Sequence, residues 1–188
     1  MVKYVRLVTR YGLIVGLWLS FIVGTSPAWA KELTVVLKLV RMEAEALTED
    51  NGDEIYISLT KYSNQNPPEE LRIPSAPANW FFKKLDRLKD VILWEGQVAV
   101  GEELKFMLSV AEQDFPPWDV DELIGTVQVN VKNDKGRLKP KWSIPKMDGQ
   151  PVIEDLGIVR EQGRRYMLHG DNSKYDIQLS LEAGAKKP

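Results

Sequence analysis

Hydrophobic and polar residues alternate along much of the chain after residue 30. A period of two places successive side chains on opposite faces of a β-strand, so each such segment is predicted to be a strand with one buried face. The clear cases are residues 33–39, 55–60, 104–110, 126–131 and 175–182, and shorter ones are 91–94, 97–100 and 165–169. Turn sequences such as Asp50-Asn51-Gly52 separate several of them. The pattern predicts an all-β, antiparallel two-sheet sandwich of seven to eight strands.

Two segments depart from this pattern. Residues 63–79 contain Pro67, Pro68, Pro74 and Pro77 without a sustained period, which predicts an extended loop. Residues 80–90 carry Leu85 and Leu88 at helical spacing beside several basic residues, which predicts a short amphipathic helix over a sheet edge.

The first 30 residues have the features of a secretory signal peptide. Three basic residues and no acidic ones precede an uncharged apolar run at 11–24, which leads to Ala28-Trp29-Ala30. A retained membrane anchor is the alternative, but this run is shorter than the roughly 17–25 residues that span a bilayer. We therefore expect a signal helix in 1–30 that is cleaved after Ala30, a single domain over 31–182 and a flexible tail over 183–188. The mature chain would be periplasmic or secreted, and not transmembrane.

Charge and composition narrow the class of partner. Residues 1–30 hold three of the 25 basic residues and none of the 27 acidic ones, so the remainder is distinctly acidic. This balance argues against nucleic-acid binding, which depends on cationic contacts to phosphates. With no cysteine and a single histidine, His169, the chain has no disulfide, no thiol chemistry and no multi-histidine zinc site. No nucleotide-binding or nucleophile motif is present either, so we expect a protein that is not an enzyme.

Two acidic clusters lie between predicted strands. The first acidic loop spans residues 49–54, and the second spans residues 112–122. Calcium takes six to eight oxygen ligands, mostly carboxylates and carbonyls, so two acidic loops at one end of a sandwich could bind it. The alternative is that both loops are ordinary solvent-exposed loops that bind no ion.

The order of these elements resembles the C-two (C2) domain, a calcium- and phospholipid-binding β-sandwich named after the second conserved region of protein kinase C. The sequence from Asp50 to Ile57 is similar to the first loop of that family, but it is shorter and lacks a proline. The sequence Val110–Asp114, followed by Asp121-Glu122-Leu123-Ile124-Gly125, is similar to a strand with an Asp-x-Asp pair and a later Asp-Phe-Ile-Gly. The resemblance covers about residues 32–132.

This resemblance implies calcium as a cofactor and assigns its ligands. They would be Asp50, Glu54, Glu112, Asp114 and Glu122, with Asp53, Asp119 and Asp121 in reserve. Calcium would neutralise these carboxylates and order the loops, since their mutual repulsion otherwise holds them apart.

Phe115 and Trp118 lie between the carboxylates of the second acidic loop. They would contact a protein partner or a membrane surface if exposed, or cap the core if they fold back. The favoured function is an exported, non-enzymatic binding module that uses these end loops. The alternative is a metal-independent envelope adaptor or structural subunit, which would bind a protein through a sheet edge or through residues 63–79.

Overall fold

The structure, a computed structural model, describes residues 32–64, 66–114, 120–160 and 162–184. Eleven strands and no helix occur in these ranges. They are β1 (Leu33–Ala46), β2 (Asp53–Ser63), β3 (Glu69–Ile73), β4 (Trp80–Phe82), β5 (Arg87–Val98), β6 (Glu103–Glu112), β7 (Glu122–Asp134), β8 (Arg137–Ser143), β9 (Val152–Val159), β10 (Gly163–His169) and β11 (Lys174–Gly184). The predicted signal segment, with Ala28 and Ala30, lies outside the described residues. Among the described segments, none is a helix long and apolar enough to cross a membrane.

The strands form two sheets in which all pairings are antiparallel. The five-stranded sheet has the order β5-β1-β11-β10-β9, and the six-stranded sheet has the order β3-β2-β6-β7-β8, with β4 also paired to β2. The predicted two-sheet antiparallel sandwich is therefore confirmed, although it has eleven strands over the described residues rather than seven or eight.

The core lies between the sheets and follows the alternation seen in the sequence. In β1, Val35, Leu37 and Leu39 are fully buried, while the residues between them are partly exposed. Ile55 and Ile57 contribute in the same way from the six-stranded sheet. Burying a side chain of this size contributes about 1.5–3 kcal/mol relative to leaving it exposed, so the alternating strands account for most of the packing.

The predicted helix at residues 80–90 is wrong. The segment forms β4, a turn and the start of β5, because Trp80–Phe82 pair with residues 53–55 of β2. Leu88 then pairs with Met42 of β1 and packs against the core, whereas Leu85 lies in the turn and is 63% exposed. The helical spacing of these two leucines therefore comes from a turn and a strand, not from one apolar face.

The predicted extended loop at 63–79 is only partly right. It contains β3, whose five residues pair with residues 57–61 of β2. Two further strands, β8 and β9, lie in a region where the alternation predicts no strand. Both are edge strands, and β8 carries Lys139, Pro140 and Lys141, so it has no strong alternation. At the other end of the chain, Ala183 and Gly184 of the predicted tail pair with β1.

Candidate functional site at the loop end

One end of the sandwich, termed the loop end, collects the two acidic loops. The β1–β2 connection (47–52) and the β6–β7 connection (113–121) meet there because Glu112 pairs with both Ile55 and Glu122. The connections 83–86, 144–151 and 170–173 lie at the same end, as the pairing of Ala46 with Lys174 shows for the last of them. Strand register thus brings together loops that are far apart in sequence.

Asp53 anchors the first acidic loop. It is the first residue of β2, and its fully buried carboxylate accepts hydrogen bonds from the backbone N–H groups of Thr48 at 3.3 Å and Glu49 at 3.1 Å. The hydroxyl of Tyr175, on β11 of the other sheet, donates to it at 2.6 Å. Burial, together with the neighbouring Asp53 carboxylate, raises the pKa of Tyr175 and keeps it a donor. Asp53 therefore holds the loop and joins the two sheets.

Glu112, the last residue of β6, is also buried but differs from Asp53 in its hydrogen bonding. It is 1% exposed, and neither of its carboxyl oxygens has a hydrogen-bond partner among the described residues. Burial raises the pKa of Glu112 to about 8, and the Asp53 and Asp114 charges add to this rise. The Thr48 hydroxyl lies nearby and favours the charged form, and the Asp53 carboxyl group lies close enough to favour the protonated form, but neither is in hydrogen-bond geometry. Glu112 is therefore mostly neutral at pH 7.

The other predicted calcium ligands lie apart or are already engaged. Glu122 accepts the backbone N–H of Asp171 at 2.8 Å. Glu54 follows Asp53 on a strand, so its side chain lies on the opposite, outer face of β2. Asp50 is exposed in the turn at 49–51.

Asp121 accepts hydrogen bonds from the Tyr56 hydroxyl at 2.7 Å and from the backbone N–H of Asp114 at 3.3 Å. Over the described ranges, no three metal-ligating side chains are grouped as a metal site. Asp119, Phe115 and Trp118 lie outside the described residues. The five predicted ligands thus share the loop end without forming a cage there.

Arg72 links the proline-rich segment to the second acidic loop, a contact that no sequence pattern indicates. Its guanidinium lies 4.0 Å from the centre of the Tyr56 ring and donates to Gln113 Oε1 at 2.6 Å. It also donates to the carbonyls of Pro74 and Ala78 and to Asn79 Oδ1. Only the pairing of β3 with β2 places Arg72 beside Tyr56, so the contact could not be predicted without that strand.

Apolar side chains project from the loop end. Leu85, Val120 and Met147 belong to three different connections and are 63%, 85% and 45% exposed. Leu85 adopts a left-handed backbone conformation, with φ of 69°, which a leucine rarely takes. Its N–H donates to the Ala44 carbonyl at 2.9 Å, which holds the turn against β1. The fold therefore maintains this exposed position with ordered backbone.

The protein is thus a two-sheet antiparallel β-sandwich whose loop end is polar. No protein-family model matches the chain, and no curated protein matches it in sequence. Among solved structures, the chain is similar to C2 domain A of plant extended synaptotagmin 1, with 12% identity, a TM-score of 0.36 and coverage of 82% of this chain and 97% of that one.

It is also similar to a structure of CC2D1B, described as coordinating ESCRT-III activity during the mitotic reformation of the nuclear envelope. Here the identity is 13%, the TM-score is 0.34, and the match covers 86% of this chain and 66% of that one, slightly under two thirds of its length. These neighbours are C2 domains, the family that the acidic loops resemble, and the similarity concerns the fold alone.

Proposed function

We propose that this chain is an exported, non-enzymatic binding module whose partner contacts the loop end. The observation that carries the proposal is the exposure of Leu85, Val120 and Met147 on three connections at one end. Exposed apolar groups rimmed by polar residues are typical of interaction sites. Carboxylates at the same end are held by internal donors, such as the N–H groups bonded to Asp53 and Glu122. Among the described residues, the partner would therefore meet loop segments that are held in place by internal hydrogen bonds.

The conformation of Leu85 supports this assignment. A left-handed backbone costs a leucine about 1–2 kcal/mol, and such strain persists where the surrounding structure enforces it. The carboxylate of Asp86 accepts the Lys83 N–H at 2.8 Å, and the Asp86 N–H donates to the Lys83 carbonyl. These bonds keep an apolar side chain in solvent, where burial by a partner would be favourable.

Site-specific photo-crosslinking tests the proposal. A photoreactive residue would replace Leu85 or Val120 of the full chain in the cells that produce it, with Ile158 as the matched control. Ile158 is 72% exposed but lies near the opposite end of the sandwich, at the end of β9. We expect one discrete crosslinked species from positions 85 and 120 and none from 158. Equal labelling at all three positions would contradict a loop-end interface.

Export is tested separately by the N-terminus of the mature protein. Cleavage after Ala30 should leave Lys31 as the first residue, and an Ala28→Leu/Ala30→Leu variant should retain the precursor mass. An unprocessed wild-type chain in the cytoplasm would contradict export without affecting the loop-end proposal.

Calcium binding is a second candidate function, favoured by Glu112. Its two buried oxygens lack partners among the described residues, and it lies beside Asp53 and near Asp114. Asp53, Glu112 and Asp114 carry carboxylate oxygens, the type of ligand that calcium prefers, and a cation would have to draw them together. A bound cation would supply positive charge that favours the ionised form of Glu112 and could order the second acidic loop.

A thermal-shift titration of the full chain with calcium tests this second function. A ligand that binds only the native state raises the melting temperature, and Glu112→Gln should abolish the rise. Glu182→Gln, on the outer face of β11, is the matched control and should keep it. No shift in wild type at millimolar calcium would exclude the site. Crosslinks at 85 and 120 that survive a chelator would then identify a metal-independent module.

A further inference from the structure

A cavity of about 670 Å³ opens on the outer face of the five-stranded sheet, away from the loop end. It lies over β1, β11 and the β9–β10 turn, and its lining includes Lys38, Asp90, Arg160, Gln162, Gln178 and Ser180. Its volume falls within the range of about 300–1,000 Å³ that is usual for small-molecule sites. Neither the calcium hypothesis nor the loop-end proposal uses these residues.

A glycine lies in the row of residues that crosses the trough. Lys38, Ser180, Gly163 and Val159 form one row of paired residues across four neighbouring strands. At Gly163 a Cβ atom would lie only 2.4 Å from the Val159 carbonyl oxygen, so no side chain fits there. The floor beside it is polar, because Gln178 and Ser180 alternate with the buried Leu179. The sheet therefore presents a polar trough instead of a continuous layer of side chains.

Two strained residues of opposite charge border the trough. Asp90 in β5 has a φ of 57°, and Arg160 in the β9–β10 turn has a φ of 60°. Left-handed conformations are uncommon outside glycine, and strain of this kind is concentrated at ligand-binding and active sites. The β9–β10 turn is three to four strand spacings from β5, and Asp90 and Arg160 are also offset along the strands, so the two backbones are separated by roughly 17–22 Å.

Neither charge has an ion-pair or hydrogen-bond partner in the described parts of the chain. Several other charged groups on this face are paired. Lys38 lies 3.7 Å from Glu182, and Asp176 is bonded to both Arg41 and Arg165. Considering only the described residues, the trough thus has an unpaired carboxylate on one side and an unpaired guanidinium on the other.

We propose that this trough binds a short peptide with free termini. Its α-ammonium group would pair with Asp90 and its α-carboxylate with Arg160, while its amide groups would bond to Gln178, Ser180 and Gln162. A neutral glycan or a lipid chain would cover both charges without pairing them, which is unfavourable. A phosphate would leave Asp90 unpaired. Three or four extended residues, at about 3.3 Å each, span the gap that remains between the two side chains.

Calorimetric titration of the full chain with tetraalanine, its N-acetylated form and its C-amidated form tests the proposal. We expect tetraalanine to bind, and each blocked terminus to weaken binding about tenfold, the effect of losing one charge-assisted hydrogen bond. Asp90→Asn should weaken binding of tetraalanine about tenfold but leave the acetylated peptide unaffected. Arg160→Gln should likewise weaken binding of tetraalanine about tenfold but leave binding of the C-amidated peptide unaffected.

Glycine variants distinguish a binding role of Asp90 and Arg160 from a purely structural one, because glycine adopts the left-handed backbone without strain. Asp90→Gly and Arg160→Gly relieve the strain, so each should raise the melting temperature while weakening tetraalanine binding. Glu103→Gln, on an exposed site in the other sheet, is the matched control and should change neither. The proposal is overturned if tetraalanine does not bind at millimolar concentration, if blocked and free peptides bind equally, or if the glycine variants bind as wild type does. None of these results bears on the loop-end crosslinks.

Discussion

Among the described residues, each acidic loop places one carboxyl group in the interior, and the two groups differ in hydrogen bonding. Asp53, at the end of the first acidic loop, accepts two backbone N–H groups and the Tyr175 hydroxyl. Glu112, at the start of the second acidic loop, is equally buried but has no partner for either oxygen among the described residues. The two groups lie close enough for the Asp53 charge to raise the pKa of Glu112.

This difference shows that burial alone does not determine the role of an acidic residue. A buried carboxylate is tolerated when donors replace the lost water, and otherwise it takes up a proton. Asp53 thereby becomes a structural anchor, whereas Glu112 remains a group whose charge can be changed by pH or by a cation. The following variants test this contrast, from the largest expected effect to the smallest.

Replacement of Asp53 by alanine should be the most disruptive change. It would leave the Thr48 and Glu49 N–H groups and the Tyr175 hydroxyl without their acceptor, at an expected loss of about 3–5 kcal/mol in unfolding free energy. Urea denaturation measures this loss. Asp53→Asn, which keeps one acceptor oxygen, should lose less. A loss below about 1 kcal/mol for the alanine variant would show that Asp53 is not an anchor.

The stability of wild type should depend on the protonation of Glu112. Its pKa of about 8 in the folded state lies above the ordinary value of 4.5, so the folded protein holds the proton more tightly. This contribution to the unfolding free energy is complete below about pH 4.5 and is lost as the pH rises through 8. Glu112→Gln should remove the loss and be more stable than wild type at about pH 9 by about 2–4 kcal/mol. Identical pH profiles of the two proteins would contradict a buried, neutral Glu112.

The hydroxyl of Tyr175 can be tested against that of another buried tyrosine. Tyr175→Phe should cost about 1–2 kcal/mol, since it removes a donor from Asp53 but preserves the edge contact of the ring with Phe82. Tyr166 is also fully buried, and its hydroxyl has no partner among the described residues. Tyr166→Phe should therefore be neutral or slightly stabilising. Thermal denaturation of both variants measures the difference, and equal losses would contradict it.

Tyr56→Phe should have the smallest effect. It removes the hydroxyl bonded to Asp121 at a more solvent-exposed position and keeps the ring under Arg72, so we expect a loss of about 0.5 kcal/mol. Burial and the Asp121 carboxylate raise the pKa of Tyr56 to about 12, so this bond should persist up to about pH 10. A loss above about 2 kcal/mol, measured by urea denaturation, would contradict this and show that the bond between Tyr56 and Asp121 anchors the second acidic loop as Asp53 anchors the first.

The strands with strong alternation were predictable from the sequence, and those stabilised by their neighbours were not. β1, β2, β6, β7 and β11 each carry several apolar residues at every second position, so their buried faces are evident. β3 and β4 are only five and three residues long and form because β2 offers an unpaired edge. Such pairing depends on distant backbone, so local pattern could not correct the helix predicted over 80–90 or the single loop predicted over 63–79.

The sequence by itself determined the two-sheet sandwich and placed two acidic loops between strands, because a period of two and turn residues are local signals. Only the tertiary structure decided which carboxyl groups are buried and which have partners. Asp50, Asp53 and Glu54 are close neighbours with similar chemistry, yet Asp53 alone of the three meets Tyr175, which lies 122 residues further along the chain. The same holds for Asp90 and Arg160, which border one trough because antiparallel pairing places distant strands side by side. Contacts of this kind are set by strand register and packing, and neither is encoded in any short segment.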